Sequence, residues 1–152
     1  MDDTLWRALD AAVQEAGDQG HYTGAVLLVG RGREVLYHRA YGVADVRSGE
    51  AMTVNHVFDL ASLTKPLVTA VSILILAQEG KLALDDAISN SIELSWPNPP
   101  TVRQLLTHHG GLPPVVEVGD LFHTPPSSCP GDTFVYSDAG FMLLQQVVEK
   151  VS

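Results

Sequence analysis

Cysteine is almost missing from this chain: Cys129 is the only one, so no intrachain disulfide can form and no thiolate-rich metal site can be built. Positive charge is scarce as well. Nine Lys and Arg residues stand against 18 Asp and Glu, the net charge is -9, and the three lysines are scattered at Lys65, Lys81 and Lys150 with no basic run. A nucleic acid or other polyphosphate partner is therefore not expected. Neither a Gly-x-Ser-x-Gly elbow nor a phosphate-cradling glycine loop is present. His108, His109 and His123 do not suggest a metal, because adjacent histidines point in different directions and no His-x-x-x-His helix accompanies them. No metal and no other cofactor is expected. Long apolar runs are also missing. The longest, Leu67 to Ala77, contains Thr69 and Ser72 and falls well short of the roughly 20 residues that span a bilayer. It reads as a core helix and not as a membrane anchor. The start, Met1-Asp2-Asp3-Thr4, is acidic and polar where a secretory leader is basic and then apolar. A cytoplasmic chain is expected, or an exported one whose leader has been removed.

What is there suffices for one globular core. The 152 residues are 45% hydrophobic with a mean hydropathy of +0.11, which fits one domain or part of one. Leu5, Leu9, Ala12, Val13 and Ala16 recur at helical spacing until Gly17 and Gly20. Gly24–Val29, a Gly30-Arg31-Gly32-Arg33 turn and Glu34–Gly42 read as a β-hairpin. A helix is expected from Ser62 to about Gln78, stopped by Gly80, with Pro66 tolerated in the first turn. Beyond Asp85-Asp86, a turn or cap, proline and glycine clusters allow only short elements. Two helices fit there, Thr101–Leu106 and a longer amphipathic one from Ser137 through Val151. The fold class is α+β.

The chemistry concentrates in two places. Ser62-Leu63-Thr64-Lys65 puts a hydroxyl and an amine one turn apart on the same face. A lysine held among apolar groups loses the hydration of its ammonium, so its pKa falls and it can accept the serine's proton. With ten serines and three lysines, about 0.2 such pairs arise by chance, and an exposed lysine on a core helix is the competing reading. The second place is Pro130–Asp138, which presents Tyr136 on a turn before the last helix. A phenol beside a cationic lysine ionises below its usual value of about 10 and can then act as a base. Taken singly, a tyrosine that merely packs at a helix start is the alternative.

Together these segments resemble the serine β-lactamase, penicillin-binding protein and esterase superfamily, in its class C β-lactamase-like branch. Phe58-Asp59-Leu60-Ala61-Ser62-Leu63-Thr64-Lys65-Pro66 is similar to the family's first motif, and Gly80–Asp86 to the segment after it. Leu105-Leu106-Thr107-His108-His109-Gly110-Gly111-Leu112-Pro113 resembles its Leu-Leu-Thr-His-x-Ser-Gly-Leu-Pro stretch, and Tyr136-Ser137-Asp138 stands where Tyr-x-Asn belongs. The resemblance implies a β-lactamase/DD-peptidase-like fold, an antiparallel sheet flanked by helices plus a helical region. It makes Ser62 the acylated nucleophile, Lys65 its activator, Tyr136 the general base and His108 structural. The implied substrates are esters, β-lactams or D-alanyl peptides passing through an acyl-enzyme.

Two residues depart from the pattern. Asp138 replaces the asparagine, placing a site-supporting carboxylate near Lys65; this is expected to raise the lysine's pKa, weaken recognition of a substrate amide and favour esters. Gly110 replaces a serine in a turn. The family's third motif, a Lys/His-x-Gly strand, has no counterpart before Ser152. The chain is therefore expected to be the N-terminal part of one hydrolase domain, residues 1–60 forming helix plus hairpin and 61–152 the mainly helical part. Such a piece would leave sheet edges exposed, and self-association or a complementing C-terminal segment would cover them. The alternative to an esterase-type hydrolase is a catalytically incomplete fragment or a non-catalytic binding module of the same family.

Overall fold

The computed structural model describes residues 3–152. They fall into two compact units, one ending at Asp59 and one running from Leu60 to Ser152. The first unit is a helix on a small antiparallel sheet. Helix α1, Asp3–Asp18, is followed by β1, Gly24–Arg31, and β2, Glu34–Asp45, paired from Gly24↔Gly42 to Arg31↔Glu34 across a Gly32-Arg33 turn, with a register shift after Val29. The second strand runs beyond the expected Gly42. It pairs there with a two-residue strand, β3, Glu50–Ala51, giving the sheet order β1-β2-β3.

What fixes α1 to β2 is largely polar. Asp10 accepts from the Tyr37 hydroxyl, from the Tyr41 hydroxyl at 2.6 Å and from Arg39 at 2.6 Å, while Trp6 stacks on Tyr37 with centroids 5.0 Å apart. These three donors hold the Asp10 carboxyl below its ordinary pKa, the Tyr37 hydrogen bond most of all. Burial, with Asp10 next, pushes the Tyr41 phenol far up.

The second unit begins with a correction. The expected continuous helix from Ser62 is instead a 3₁₀ turn, Ala61–Leu63, a π-helical turn, Lys65–Thr69, and then α2, Ala70–Gln78. Pro66 explains the widening, since it has no N–H to give to the preceding turn, and the chain closes instead with a wide bond from Ala70 N–H to the Lys65 carbonyl. The helix ends as expected. Gly80 adopts φ +72°, its N–H donates to the Ala77 carbonyl, and Lys81 N–H donates to the Leu76 carbonyl.

Burial of this helix also differs from expectation. Only Ile73 and Leu76 of α2 are buried, whereas Leu63, Leu67, Val68, Val71, Leu74 and Ile75 remain 45–58% exposed. The helical stretch Ala61–Gln78 has 18 residues and a mean hydropathy of 1.4, which by length and composition alone would suffice to cross a membrane. It is therefore longer than the Leu67–Ala77 run suggests. Its two buried side chains nonetheless join a hydrophobic core with α4, Asp138–Val151, whose Leu143, Leu144 and Val147 are fully buried.

Short α3, Val102–Leu106, completes the frame. Thr101 caps it by accepting from Gln104 N–H at 3.2 Å, and the Gln104 side chain accepts from Thr101 N–H at 2.8 Å. The acidic pair before it is structural. Asp86 accepts from Ala83 N–H at 2.8 Å, and Asp85 takes Arg103 in a two-pronged pair at 2.7 and 3.0 Å.

Candidate active site

The segments carrying the chemistry are held together by backbone hydrogen bonds between two loops. Val135 N–H donates to the His108 carbonyl at 2.9 Å, Gly131 N–H to the His109 carbonyl at 2.7 Å, and Asp138 N–H to the Pro114 carbonyl at 2.8 Å. The Leu105–Pro113 motif is thus the bed on which the Tyr136 loop lies. Its glycines have separate reasons. Gly111 sits at φ +72°, and a Cβ there would lie 2.3 Å from the Ser128 carbonyl oxygen, so no side chain fits. At Gly110 a Cβ would come within 2.5 Å of a Leu105 methyl, so the space a serine would need is filled from the core.

Ser137 fastens the other end. Its hydroxyl accepts from Gly140 N–H at 3.1 Å, capping α4, and donates to the Pro113 carbonyl at 2.7 Å; its own N–H donates to His108 Nδ1 at 3.1 Å. The longer amphipathic helix therefore starts one residue later than expected, with Ser137 as its cap. His108 Nδ1 must be unprotonated to accept. Burial first and the Lys65 charge second push the imidazole below its usual pKa, which keeps it neutral. Its ring packs on Tyr136 at 4.4 Å and on Phe141 at 5.0 Å.

Into this bed projects the Ser62 turn. Ala61, directly before Ser62, adopts φ +44°, a left-handed conformation uncommon for a non-glycine residue. Lys65 Nζ donates to Ser62 Oγ at 3.3 Å, lies 2.7 Å from Asp138 Oδ1, and sits 5.0 Å from the Tyr136 ring centroid and 5.9 Å from that of Phe141. The Lys65 side chain is only 15% exposed. Asp138 Oδ1 is buried, and the group it faces at that distance is the Lys65 ammonium. All four residues singled out in the sequence, Ser62, Lys65, Tyr136 and Asp138, come together.

Their electrostatics replace the neutral-amine expectation with the one drawn from Asp138. Lys65 is not an amine made neutral by an apolar pocket, because the Asp138 carboxylate, helped by Tyr136, raises its pKa against the opposing effect of burial. Tyr136 moves the other way. Hydrogen bonding with Ser62 first and Lys65 second lowers the phenol below its ordinary value, despite some burial and the repulsion of Asp138. The arrangement is therefore a hydroxyl between a cation and an acidified phenol. A cleft of about 360 Å³ opens over it, lined by Ser62, Lys65, Pro66, Leu106, His108 and Tyr136.

Three features escaped the sequence. The left-handed Ala61 carries no residue signature, the neutral His108 shows only as a histidine in a motif, and the aromatic wall of Phe141 resembles any core position of α4.

Known proteins of similar sequence and fold exist. The chain is 28% identical over 163 residues to "Penicillin-binding protein 4*" of Bacillus subtilis, covering 95% of this chain and 36% of that one. It is 40% identical over 116 residues to "Esterase EstB" of Burkholderia gladioli, covering 72% of this chain and 29% of the esterase. The fold matches the octameric penicillin-binding protein homologue from Pyrococcus abyssi with a TM-score of 0.85 at 24% identity, over 99% of this chain and 39% of that one. The chain thus spans about a third of the length of the curated relatives it matches. The α+β fold, the convergence of Ser62, Lys65 and Tyr136, and a match of residues 9–152 to the Beta-lactamase family profile lead to one classification: the chain belongs to the Beta-lactamase family.

Proposed function

We propose that the protein is a serine hydrolase of small acyl esters, working through an acyl-enzyme on Ser62. The observation that carries this reading is the Ser62 hydroxyl, held by Lys65 at 3.3 Å, in one cleft with Tyr136, whose phenol Ser62 and Lys65 hold below its usual pKa. Tyr136, as phenolate, takes the Ser62 proton as the Oγ–carbon bond forms. It returns that proton to the departing alkoxide as the ester C–O bond breaks. The phenolate thus restored takes a proton from a water that attacks the acyl carbon, and returns it to Ser62 Oγ as the Oγ–carbon bond breaks and the acid leaves. Ser62 N–H supplies one donor to the oxyanion. Esters are favoured over β-lactams and D-alanyl peptides because Asp138, an acceptor only, offers no N–H to an amide carbonyl where asparagine would. The 40% identity with the esterase points the same way.

The second reading, a catalytically incomplete fragment or binding module, is favoured by the exposed apolar face of residues 63–75. Self-association or a complementing segment would cover that face. Intact-protein mass spectrometry after fluorophosphonate treatment decides between them. One adduct in the protein and none in Ser62→Ala is expected; no adduct in either would establish the second reading.

A further inference from the structure

Lys65 touches two groups that can carry negative charge, and only one of them is unaccounted for by the reaction. We propose that Asp138 is a positioning residue for the reaction: its carboxylate, 2.7 Å from Lys65 Nζ, holds the amine as an ammonium aimed at Ser62 and so leaves the Tyr136 oxygen as the sole acceptor for the serine's proton. This rests on the acyl-enzyme reading for its consequence, though not for its test.

The geometry argues for it in three ways. The ammonium is nearly enclosed, 15% exposed, so its charge needs a partner within the protein. Of the groups around it, Ser62 is neutral, and His108 is kept neutral because its Nδ1 accepts from Ser137 N–H. Tyr136 must be free to gain and lose a proton in each cycle, which leaves Asp138 as the permanent counter-charge. Finally, Asp138 occupies the first turn of α4, where the free N–H groups of a helix favour a carboxylate. An asparagine in the same place would supply hydrogen bonds but no charge, and the lysine could then shed its proton and compete with Tyr136 as base.

Because the chain has only three lysines, labelling them with ¹³Cε gives three NMR signals, assigned by Lys→Arg variants, that report each amine's titration directly. The expected result is that Asp138→Asn moves the Lys65 midpoint to lower pH and leaves those of Lys81 and Lys150 where they were. Asp138→Ser, smaller and also uncharged, must do the same, and provides the comparison if the asparagine variant does not fold. A Lys65 midpoint unmoved in the folded variants overturns the proposal. Removing a negative charge also eases ionisation of both Lys65 and Tyr136, so both limbs of the pH profile for Ser62 acylation are expected to shift to lower pH. Because the amine signal is independent of turnover, an absent fluorophosphonate adduct would count against the esterase reading, whereas an unmoved Lys65 would count against Asp138.

Discussion

Replacing Ser137 with alanine tests whether the bed beneath Tyr136 is built as described. The residue is 4% exposed, and its hydroxyl serves two partners at once, Gly140 N–H and the Pro113 carbonyl. Losing the cap costs about 1 kcal/mol, and leaving the part-buried Pro113 carbonyl without its donor costs about 1–3 kcal/mol. Alanine fits the space, so no steric term is added. The total is about 2–4 kcal/mol, which at a urea slope of roughly 2 kcal/mol per molar lowers the unfolding midpoint by about 1–2 M. Trp96 reports on this unit, since its indole is buried and donates to the Phe122 carbonyl at 3.0 Å. Its emission can be followed without interference in a Trp6→Phe background. A loss below about 0.5 kcal/mol, the range of an ordinary surface substitution, would refute the reasoning. It would mean that neither hydrogen bond contributes and that the loop is held by the backbone ladder alone.

Tyr136→Phe keeps the aromatic packing on His108 and removes only the hydroxyl proposed as base, so fluorophosphonate labelling of Ser62 should slow by about 10²–10⁴-fold with an unchanged urea midpoint. In the unsubstituted protein the labelling rate should level off at a pH below the ordinary phenol value of about 10, because Tyr136 ionises early. The first unit should be acid-sensitive. Asp10 has a lower pKa folded than unfolded, so its stabilising contribution is complete above the unfolded carboxylate value of about 3.9 and is lost as pH falls through the folded value. Asp10→Asn should abolish that dependence in an acid titration followed by Trp6 emission.

How far the sequence reveals this structure depends on whether a feature leaves a periodic or chemical mark. Helices α1 and α4 are legible because apolar residues return at helical spacing, and the hairpin because two strand-forming runs flank a glycine turn. The stretch from 61 to 78 is legible as helical but not in detail. Its apolar residues surround the axis, so no stripe tells which side is buried, and Ile73 and Leu76 look no different from the exposed Leu74 and Ile75. Pro66 marks a disturbance there, yet whether the chain responds by a kink, a break or a π turn depends on what the next turns pack against. Strand β3 is too short for any pattern. At the site, Ser62, Lys65, Tyr136 and Asp138 are legible through motif chemistry. The direction of the Lys65 shift is not set by the Ser-x-x-Lys spacing, since an apolar helix lowers a lysine's pKa and only the distant Asp138 reverses it.

In the proposed reaction, that reversal decides which group serves as the base. The Asp138 carboxylate stands 2.7 Å from Lys65 Nζ and raises the lysine's pKa while that of the phenol is lowered, so Lys65 remains an ammonium through the range in which the phenol titrates. The same carboxylate opposes formation of the phenolate, as the repulsive part of the Tyr136 balance shows. Asp138 therefore does two opposed things: it secures the cation and makes the neighbouring base harder to ionise. The net direction for Tyr136 is still downward, because Ser62 and Lys65 lower it by more than the repulsion of Asp138 raises it. A site with asparagine there would have a more easily formed phenolate beside a less securely charged lysine, and its two candidate bases would compete over the same pH range. With aspartate the proposed reaction is expected to use Tyr136 over a wider range, displaced to higher pH.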